Sequence, residues 1–316
     1  MGSLVGVGDA REIFQMTLKA HPLNVVAVVV TFNPGNVQLL FERLEVLANE
    51  VGLVVVSDNS DSLEIANKIR SFLESQKNSL YLGNGVNHGI GHAQNLAFFH
   101  EKASQYSHVV TFDQDSCFRR GFVTALCDIY NTNVAGNEYL GCLGPRLFNG
   151  RTGRFYTAYT DGKRLINEHI CATEVLASSG MLIPREVLQI VGGMRDGWFI
   201  DLLDVEWCYR VRSKGFQVAV ALPVDMEHTF GEKDFKVPFR GPVVIPAPRR
   251  MYYIARNTLL MSRLSYIPVS FRLNQVLSLP LKLMIYIASG DSFRRIRLFA
   301  LGLWDGVRGK APLRKL

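Results

Sequence analysis

The sequence predicts an α/β protein built on a doubly wound sheet. Apolar runs rich in β-branched residues alternate with helical patterns from residue 25 to residue 115. Such runs are typical of parallel strands that helices cover on both faces. Polar residues follow each run, and ligands bind at the carboxyl ends of strands in sheets of this kind. The sequence therefore predicts one ligand-binding crevice along that edge of the sheet.

The first third of the chain carries the regular pattern. After a short predicted helix at 10–19, strands are predicted at 25–30, 53–56 and 79–82 and in the run that ends at Asp113. Helices are predicted between them at 37–47, 63–73 and 90–101. The polar residues that follow the strands are Thr31 and Asn33, Asp58 to Ser60, Asn84 and Asn87, and Asp113 and Asp115.

The remainder of the chain is less regular. We predict a strand at 144–148, a loop or hairpin at 151–169, a buried strand within 177–184, a helix at 205–214 and a strand at 217–221. Three helical stretches are predicted after these, at 249–264, 273–288 and 292–307. Pro280 interrupts the second of them.

Composition indicates a globular protein from a reducing compartment. The 316 residues are 48% hydrophobic and 20% charged. Five scattered cysteines without a Cys-x-x-Cys pair argue against a zinc ribbon or a disulfide framework and favour the cytosol. The apolar pattern predicts neither a signal peptide nor a membrane-spanning helix.

Positive charge is concentrated at the C-terminal end. Residues 236–316 contain 15 Lys or Arg and two acidic residues, whereas residues 1–235 contain 20 basic and 26 acidic residues. The basic residues alternate with apolar and aromatic ones, as in helices that lie on an anionic membrane surface. Alternatively, these helices pack on the rest of the chain with their arginines solvated. A nucleic-acid-binding protein is a rival from another class, but the basic residues form no polar stripe, so no nucleic-acid partner is expected.

Three common motifs are missing from the sequence. No Gly-x-Gly-x-x-Gly follows the first strand, which weighs against a dinucleotide-binding domain. The phosphate-binding loop Gly-x-x-x-x-Gly-Lys-Ser/Thr and the hydrolase motif Gly-x-Ser-x-Gly are also missing. These absences disfavour nucleoside triphosphatases and α/β-hydrolases.

Acidic residues form two groups that could carry chemistry. Asp113 and Asp115 are two residues apart at a strand end, and carboxylates so placed suit Mg²⁺ or Mn²⁺. A solvated turn is the alternative. Asp201 and Asp204 would share a helix face at i, i+3 spacing, although Asp204 could instead cap a helix. His228 lies in a polar turn, and a lone histidine is usually structural.

Several short motifs occur in a set order along the chain. They are Thr31-Phe32-Asn33-Pro34, Asp58-Asn59-Ser60, Asp113-Gln114-Asp115-Ser116, Ser179-Gly180, the acidic stretch 199–206, His228 and Tyr252-Tyr253 with Arg256-Asn257. In this order they resemble family 2 glycosyltransferases of the GT-A fold. Leu143-Gly144-Pro145-Arg146 and Gly302-Leu303-Trp304-Asp305-Gly306 are similar to its bacterial rhamnosyltransferase branch. The resemblance covers about residues 25–310.

The resemblance implies a domain plan and a donor site. It implies a lead-in at 1–24, a catalytic domain with a mixed sheet at 25–235, and a basic helical region at 236–316. Within the catalytic domain, the nucleotide-sugar half is about 25–116 and the acceptor half about 117–235. Donor binding is implied for Thr31, Asn33, Asp58, Asn59, Asn87, Asn95, Asp113 and Gln114, with Asp58 accepting a hydrogen bond from the pyrimidine ring.

The resemblance also implies the catalytic groups. Asp113, Asp115 and His228 would hold Mg²⁺ or Mn²⁺ on the diphosphate. Asp204 would be the catalytic base, with Asp201 as its rival. On the acceptor side we expect Trp207, Arg210 and Arg256.

The implied activity is an inverting transfer of L-rhamnose from dTDP-β-L-rhamnose. The acceptor would be a glycolipid or lipid-linked saccharide of the O-antigen, lipopolysaccharide core or rhamnolipid type. The enzyme would then act in the cytoplasm, peripherally on the inner face of the cell membrane. UDP-galactofuranose or another UDP-sugar is an alternative donor, and an inactive scaffold protein is a further alternative. The apolar C-terminal helices could also be buried in a homodimer.

Overall fold

Runs of β-branched residues form the centre of an eight-stranded mixed sheet. The computed structural model describes residues 19–133, 139–229, 233–237, 241–311 and 314. The strands of this sheet are β1 (Val25–Thr31), β2 (Leu53–Asp58), β3 (Ser79–Gly83), β4 (His108–Asp113), β5 (Leu140–Phe148), β6 (Ile170–Thr173), β7 (Leu182–Pro184) and β8 (Gln217–Glu227). The helix predicted at 10–19 falls almost entirely outside the described residues.

The strand order of the sheet is β3-β2-β1-β4-β7-β5-β8-β6. Strands β1 to β4 are parallel, β7 is antiparallel to both β4 and β5, and β6 is antiparallel to β8. A small two-stranded sheet, β9 (Lys233–Val237) and β10 (Gly241–Ile245), lies outside it. The predicted α/β class with a mixed sheet is thus confirmed.

Helices cover both faces of the sheet and continue to the C-terminal end. They are α1 (Val37–Ala48), α2 (Leu63–Glu74), α3 (Ile90–Phe98), α4 (Glu101–Ser104), α5 (Phe122–Thr132), α6 (Arg185–Val191), α7 (Leu203–Ser213), α8 (Arg250–Met261), α9 (Val269–Leu277), α10 (Leu279–Ala288) and α11 (Ser292–Val307). Two large clusters of buried apolar side chains, one from each set of alternating strand residues, form the core.

Two predicted helices are interrupted in the structure. The predicted helix 90–101 is two helices, because His100 has an extended backbone and its ring nitrogen accepts a hydrogen bond from the Lys102 amide at 3.2 Å. The predicted stretch 273–288 begins earlier, at Val269, and is split at Ser278. Pro280 then lies in the first turn of α10, where its missing N–H costs no hydrogen bond.

The acidic stretch differs from the prediction at both of its aspartates. Phe199, Asp201 and Leu202 have left-handed backbone conformations, with φ between 65° and 67°. Asp201 therefore lies before the helix and shares no helix face with Asp204. Helix α7 begins at Leu203, with Leu202 at the N-cap position, so Asp204 is the second helical residue and not the cap.

The predicted strand at 217–221 is too short. Strand β8 continues to Glu227 because it remains paired with β5 as far as Phe148. His228 follows this strand directly, and its amide donates a hydrogen bond to the Phe148 carbonyl at 2.9 Å. The strand thus carries the histidine to the end of the sheet.

The C-terminal helices are packed against the rest of the chain. Met261 and Ile267 belong to the same buried cluster as the strand residues on one face of the sheet. Helices α8 and α11 cross closely at Gly302, where an added Cβ would lie 2.2 Å from the Tyr252 carbonyl oxygen. Only a residue without a side chain allows this approach.

Candidate active site

The carboxyl ends of β1, β2 and β4 open onto a crevice of about 850 Å³. The strand register brings these ends together, since Thr31 pairs with Asp58 and Val30 with Asp113. The crevice predicted along this edge is therefore present. Among the residues that line it are Thr31, Asn59, Asn87, Asp113, Gln114 and Asp115.

Asp58 is a buried acceptor at the end of β2. Its Oδ1 accepts hydrogen bonds from the Thr31 hydroxyl at 2.7 Å and the Ser60 amide at 3.0 Å. Its Oδ2 accepts one from the Tyr81 hydroxyl at 2.9 Å. Burial is the largest of the effects that raise the pKa of Tyr81 to about 12, so this phenol remains a donor at neutral pH. The carboxylate is therefore fixed in position.

Polar side chains also hold the loops around the crevice. The Gln114 side-chain oxygen accepts a hydrogen bond from the Phe32 amide at 2.7 Å, and Asn59 bonds both the His88 amide and the Gly89 carbonyl. The Asn87 side chain accepts from the Gly89 amide at 2.9 Å.

Asn33 braces the next loop, and its amide donates to the Ser60 hydroxyl at 2.8 Å. Its side chain bonds Asp61 and the Ser62 amide. These contacts shape the walls of the crevice.

Three predicted site residues have other positions. Asn95 bonds the backbone of Met194 through both its amide nitrogen and its oxygen. Trp207 is fully buried, and its indole N–H donates to the Gly192 carbonyl at 2.9 Å. Arg210 binds Glu206 and the carbonyls of the loop after α6. In the structure these side chains brace the loop that precedes α7 and do not line the crevice.

Asp113 and Asp115 bring two carboxylates to the crevice. Desolvation, together with the negative charge of Asp115, raises the pKa of Asp113 to about 7. The Asp113 amide donates to the Ser116 hydroxyl at 2.9 Å, and that hydroxyl contacts Ser179. The desolvated carboxylate of Asp113 and the exposed one of Asp115 form an oxygen donor set that a divalent cation would stabilise.

His228 is mostly buried near the same carboxylates. Burial lowers its pKa, while the charges of Asp115 and Asp204 act in the opposite direction. A neutral imidazole is the form that binds metals. Within the described residues, no three His, Cys, Asp or Glu side chains lie close enough to hold a metal ion together. The metal role of Asp113, Asp115 and His228 therefore stays a prediction.

Asp204 has the properties of a general base at the start of α7. Protein atoms crowd around it although the side chain keeps some solvent exposure, and this desolvation raises its pKa to about 6. The charges of Asp113 and Asp201 add to the rise, and a hydrogen bond from the Val205 amide opposes it. A carboxylate with a pKa near neutrality accepts a proton more readily than an ordinary one.

Asp201 is engaged by an arginine. Both of its oxygens accept from the Nε atom of Arg250, at 3.1 and 3.2 Å, and Oδ1 also contacts Nη2. The Asp201 side chain is only 9% exposed. Its lone pairs are thus directed at a guanidinium.

Two side chains of α8 hold the strained loop at 197–202, which carries Asp201, and we call these contacts the clamp. The Asn257 side-chain nitrogen donates to the carbonyls of Trp198, Ile200 and Asp201, at 3.1, 2.8 and 2.9 Å. Arg256, which is fully buried, donates to the carbonyls of Gly197 and Trp198. The contacts of Arg256 are thus with this loop, whereas the sequence predicted an acceptor-side residue.

Sequence reasoning missed part of the crevice lining. Arg249, Arg250, Tyr253 and Arg314 come from the C-terminal region and line the crevice with Asp113 and Asp115. The available signal was the positive charge of residues 236–316, which predicts a polyanionic partner. The sequence analysis considers a membrane surface, a nucleic acid and packing on the rest of the chain for this charge, but not the donor crevice.

Comparison with known proteins reveals related sequences and folds. No protein-family model matches the chain. The chain is 29% identical over 297 residues to the dTDP-rhamnosyl transferase RfbF of Shigella flexneri, covering 90% of this chain and 96% of that protein. The sequence match extends along nearly the whole length of both proteins.

Solved structures share the fold at low sequence identity. A mannosyltransferase from Pyrobaculum calidifontis, in complex with GDP-Man and Mn²⁺, has a TM-score of 0.54 and 14% identity over 95% of both chains. TarS of S. aureus has a TM-score of 0.55 and 12% identity over 90% of this chain, which spans about half, 49%, of the TarS chain. These likenesses agree with the resemblance indicated by the ordered motifs.

Proposed function

We propose that this chain, a glycosyltransferase with the GT-A fold, transfers L-rhamnose from dTDP-β-L-rhamnose to a hydroxyl group of a glycolipid or lipid-linked saccharide. The observation that carries the choice of donor is the 29% identity to a dTDP-rhamnosyl transferase along almost the entire chain. The crevice at the strand ends is of a size that fits a small ligand, because its volume of about 850 Å³ lies in the usual range for such sites.

The pyrimidine nucleotide would bind at the ends of β1 and β2. Thr31 and Asn59 line the crevice there, and Asp58 is held in place beneath them by three hydrogen bonds. Oδ2 of Asp58 accepts one hydrogen bond, from Tyr81, and a carboxylate oxygen has two acceptor sites. We propose that this acceptor site takes a hydrogen bond from the pyrimidine N–H, which requires the base to reach past the crevice lining, since Asp58 is 4% exposed and does not line the crevice.

Asp113 and Asp115 would hold Mg²⁺ or Mn²⁺, and His228 would be the third ligand only after moving closer, since within the described residues no three such side chains lie within reach of one ion. When bound, the cation would neutralise charge on the donor diphosphate. The two carboxylates fit this role because desolvation and the negative charge of Asp115 raise the pKa of Asp113, and a bound cation would lower that pKa again. The mannosyltransferase of the same fold is a complex with Mn²⁺, which supports the proposal.

Asp204 would act as the base in a single displacement. Its carboxylate takes the proton of the acceptor hydroxyl while the acceptor oxygen bonds to the anomeric carbon. The bond from that carbon to the phosphate oxygen breaks, and dTDP leaves with the electron pair. Attack from the face opposite the leaving group converts a β-L-rhamnosyl donor into an α-L-rhamnoside.

The acceptor is proposed to be presented at the inner face of the cell membrane. None of the helices in the described part of the chain is both long enough and apolar enough to cross a bilayer. The C-terminal helices nevertheless expose large apolar side chains, including Leu277 at 75% and Phe293 at 83%. Such side chains, interspersed with arginines, suit attachment to an anionic lipid surface.

Donor cleavage tests the proposed function. The enzyme is incubated with Mn²⁺ and either dTDP-β-L-rhamnose or UDP-galactofuranose, and release of the nucleoside diphosphate is measured with and without membrane lipid extracts. We expect dTDP release that increases with the extract, and an α-linked product by NMR. Release of UDP from UDP-galactofuranose, without release of dTDP from dTDP-β-L-rhamnose, would change the assigned donor to a UDP-sugar. Release from neither donor would reject the proposal that the chain is a transferase.

A further inference from the structure

The donor crevice contains a group of arginines to which no role has been assigned. Arg249, Arg250 and Arg314 line it together with Asp113 and Asp115. The acidic residues come from the end of β4, and the arginines come from the C-terminal region. A nucleoside diphosphate carries several negative charges, so a crevice lined with carboxylates alone would repel it.

Arg250 is held at the crevice by an ion pair with Asp201, as Arg314 is by an ion pair with Asp305. The Nε and Nη2 atoms of Arg250 face the Asp201 carboxylate, and the positive charge is thereby fixed at the crevice. Among the residues that the structure describes, none accepts a hydrogen bond from its Nη1 atom. The side chain is 37% exposed and lines the crevice, which leaves the guanidinium with donor capacity for a ligand there.

Asp201 is itself rigidly placed. Its backbone has a left-handed conformation with φ of 67°, and its carbonyl accepts from the Asn257 side chain at 2.9 Å. Strained backbone persists only where surrounding contacts hold it. A carboxylate fixed in this way, with both oxygens bound to a guanidinium, is suited to orient that guanidinium and not to accept a proton.

We propose that Arg250 binds the diphosphate of the nucleotide-sugar donor and that Asp201 is the residue that positions it. This inference rests on the proposed function, whose site it deepens. A planar guanidinium matches phosphate oxygens through paired N–H donors, which a lysine does not reproduce. The contact adds positive charge beside the bond that breaks and leaves Asp204 as the base.

Binding of nucleotide fragments tests the role of Arg250. Affinities for dTDP, UDP and the nucleoside thymidine are measured by ligand-observed NMR and calorimetry, with Mn²⁺ present throughout. Arg250→Gln should weaken binding of the diphosphate at least tenfold and leave thymidine binding unchanged. The affinity of Arg250→Lys for the diphosphate should lie between those of wild type and Arg250→Gln. Arg297→Gln is the matched control, since it removes the same charge from an exposed position of α11 outside the crevice.

The outcomes separate this inference from the proposed function. Equal dTDP affinity in wild type and Arg250→Gln, or equal loss of dTDP and thymidine binding, would overturn the role of Arg250. If wild type binds UDP and not dTDP, the donor assignment fails, and the same comparison is made with UDP and uridine. If wild type binds no nucleoside diphosphate, the proposed function fails and the inference fails with it.

A second variant tests the positioning role of Asp201. Asp201→Asn removes the charge that orients Arg250, so we expect KM for the donor to rise at least fivefold while kcat falls less than threefold. The double variant with Arg250→Gln should be little worse than Arg250→Gln alone. A collapse of kcat in Asp201→Asn with unchanged dTDP affinity would instead identify Asp201 as the base.

Discussion

At the scale of single residues, Asp204 is the group on which the proposed chemistry depends. Asp204→Asn removes the proton acceptor with little change in shape, so we expect kcat to fall by roughly 10²- to 10⁴-fold. The affinity for dTDP should remain within about twofold of wild type, since Asp204 does not line the crevice that we assign to the donor. Steady-state kinetics and calorimetry measure the two effects separately. A variant with normal kcat would show that another group takes the proton.

The pKa of Asp204 predicts the pH dependence of activity. Desolvation raises this pKa to about 6, and only the ionised carboxylate can accept a proton. The rate should therefore be half-maximal near pH 6, reach a plateau about one pH unit higher and fall roughly tenfold per pH unit well below pH 6. A kcat profile between pH 4.5 and 8, recorded with saturating donor, checks this expectation. A rate that stays constant down to pH 5 would contradict it.

The sequence predicted the strand-end residues of the site but not their partners. Asp58, Asp113 and Asp115 could be placed at one edge because parallel strands end together, and the register brings them there. The pairing of Asp201 with Arg250 joins residues 49 positions apart, and no periodic pattern encodes such a contact. Only the packing of α8 against the loop at 197–202 creates it.

At the scale of elements, the clamp between α8 and the strained loop should hold the site together. Asn257→Ala removes the hydrogen bonds that its side chain donates to three loop carbonyls and the one that it accepts from Arg256, and it leaves the Ile200 and Asp201 carbonyls without this donor, so the free energy of unfolding should fall by roughly 2–4 kcal/mol. Asn49→Ala is the control, because its exposed side chain makes one hydrogen bond, to Glu45. Denaturant unfolding measures both variants. If both variants lost the same small amount of unfolding free energy, the clamp would contribute nothing to stability.

The crossing of α8 and α11 depends on a glycine. Gly302→Ala would place a methyl group 2.2 Å from the Tyr252 carbonyl oxygen, so the two helices must separate. Overpacking of this kind costs about 1–3 kcal/mol. Gly35→Ala, where an added methyl group meets nothing within 4 Å, should leave the unfolding midpoint nearly unchanged. A Gly302→Ala variant as stable as wild type would contradict this close crossing.

The boundaries of an element could be predicted where a single hydrophobic pattern extends over the whole element. The helix at 292–307 has the predicted bounds, because its apolar residues repeat at helical spacing without interruption. The start of α7 was missed, because left-handed conformations at Phe199, Asp201 and Leu202 are rare for residues other than glycine. Contacts from α8 hold these conformations, and a reading of local sequence cannot detect them.

At the scale of the whole molecule, the basic C-terminal region packs against the rest of the chain and also exposes apolar side chains on its surface. Helix α8 packs against the sheet through Met261 and contributes Arg250 to the crevice and Arg256 to its clamp, and α11 packs against α8. The exposed apolar residues from α9 to α11 are Val269, Leu273, Leu277, Leu281, Met284, Phe293, Ile296, Trp304 and Val307. The sequence therefore predicted the charge of this region and its possible packing on the rest of the chain, but not the arginines that it places in the crevice.

Lipid binding should depend on these exposed residues. The double variant Leu277→Ser and Phe293→Ser should weaken sedimentation with phosphatidylglycerol vesicles at least about tenfold, because each side chain loses apolar contact with lipid. Leu63→Ser, which alters a leucine 73% exposed in α2, is the control. Wild type should not bind neutral phosphatidylcholine vesicles. A wild-type dimer that binds no vesicles, and that the double variant dissociates, would support burial between two copies instead.

A thermal-shift comparison tests the central claim, a metal-assisted site for dTDP, most directly. A ligand that binds only the folded protein raises Tm, so dTDP, UDP and GDP are compared with and without Mn²⁺. We predict the largest rise with dTDP in the presence of Mn²⁺, and loss of that rise in Asp113→Ala. No rise with either pyrimidine diphosphate, or one that Asp113→Ala leaves unchanged, would contradict the account.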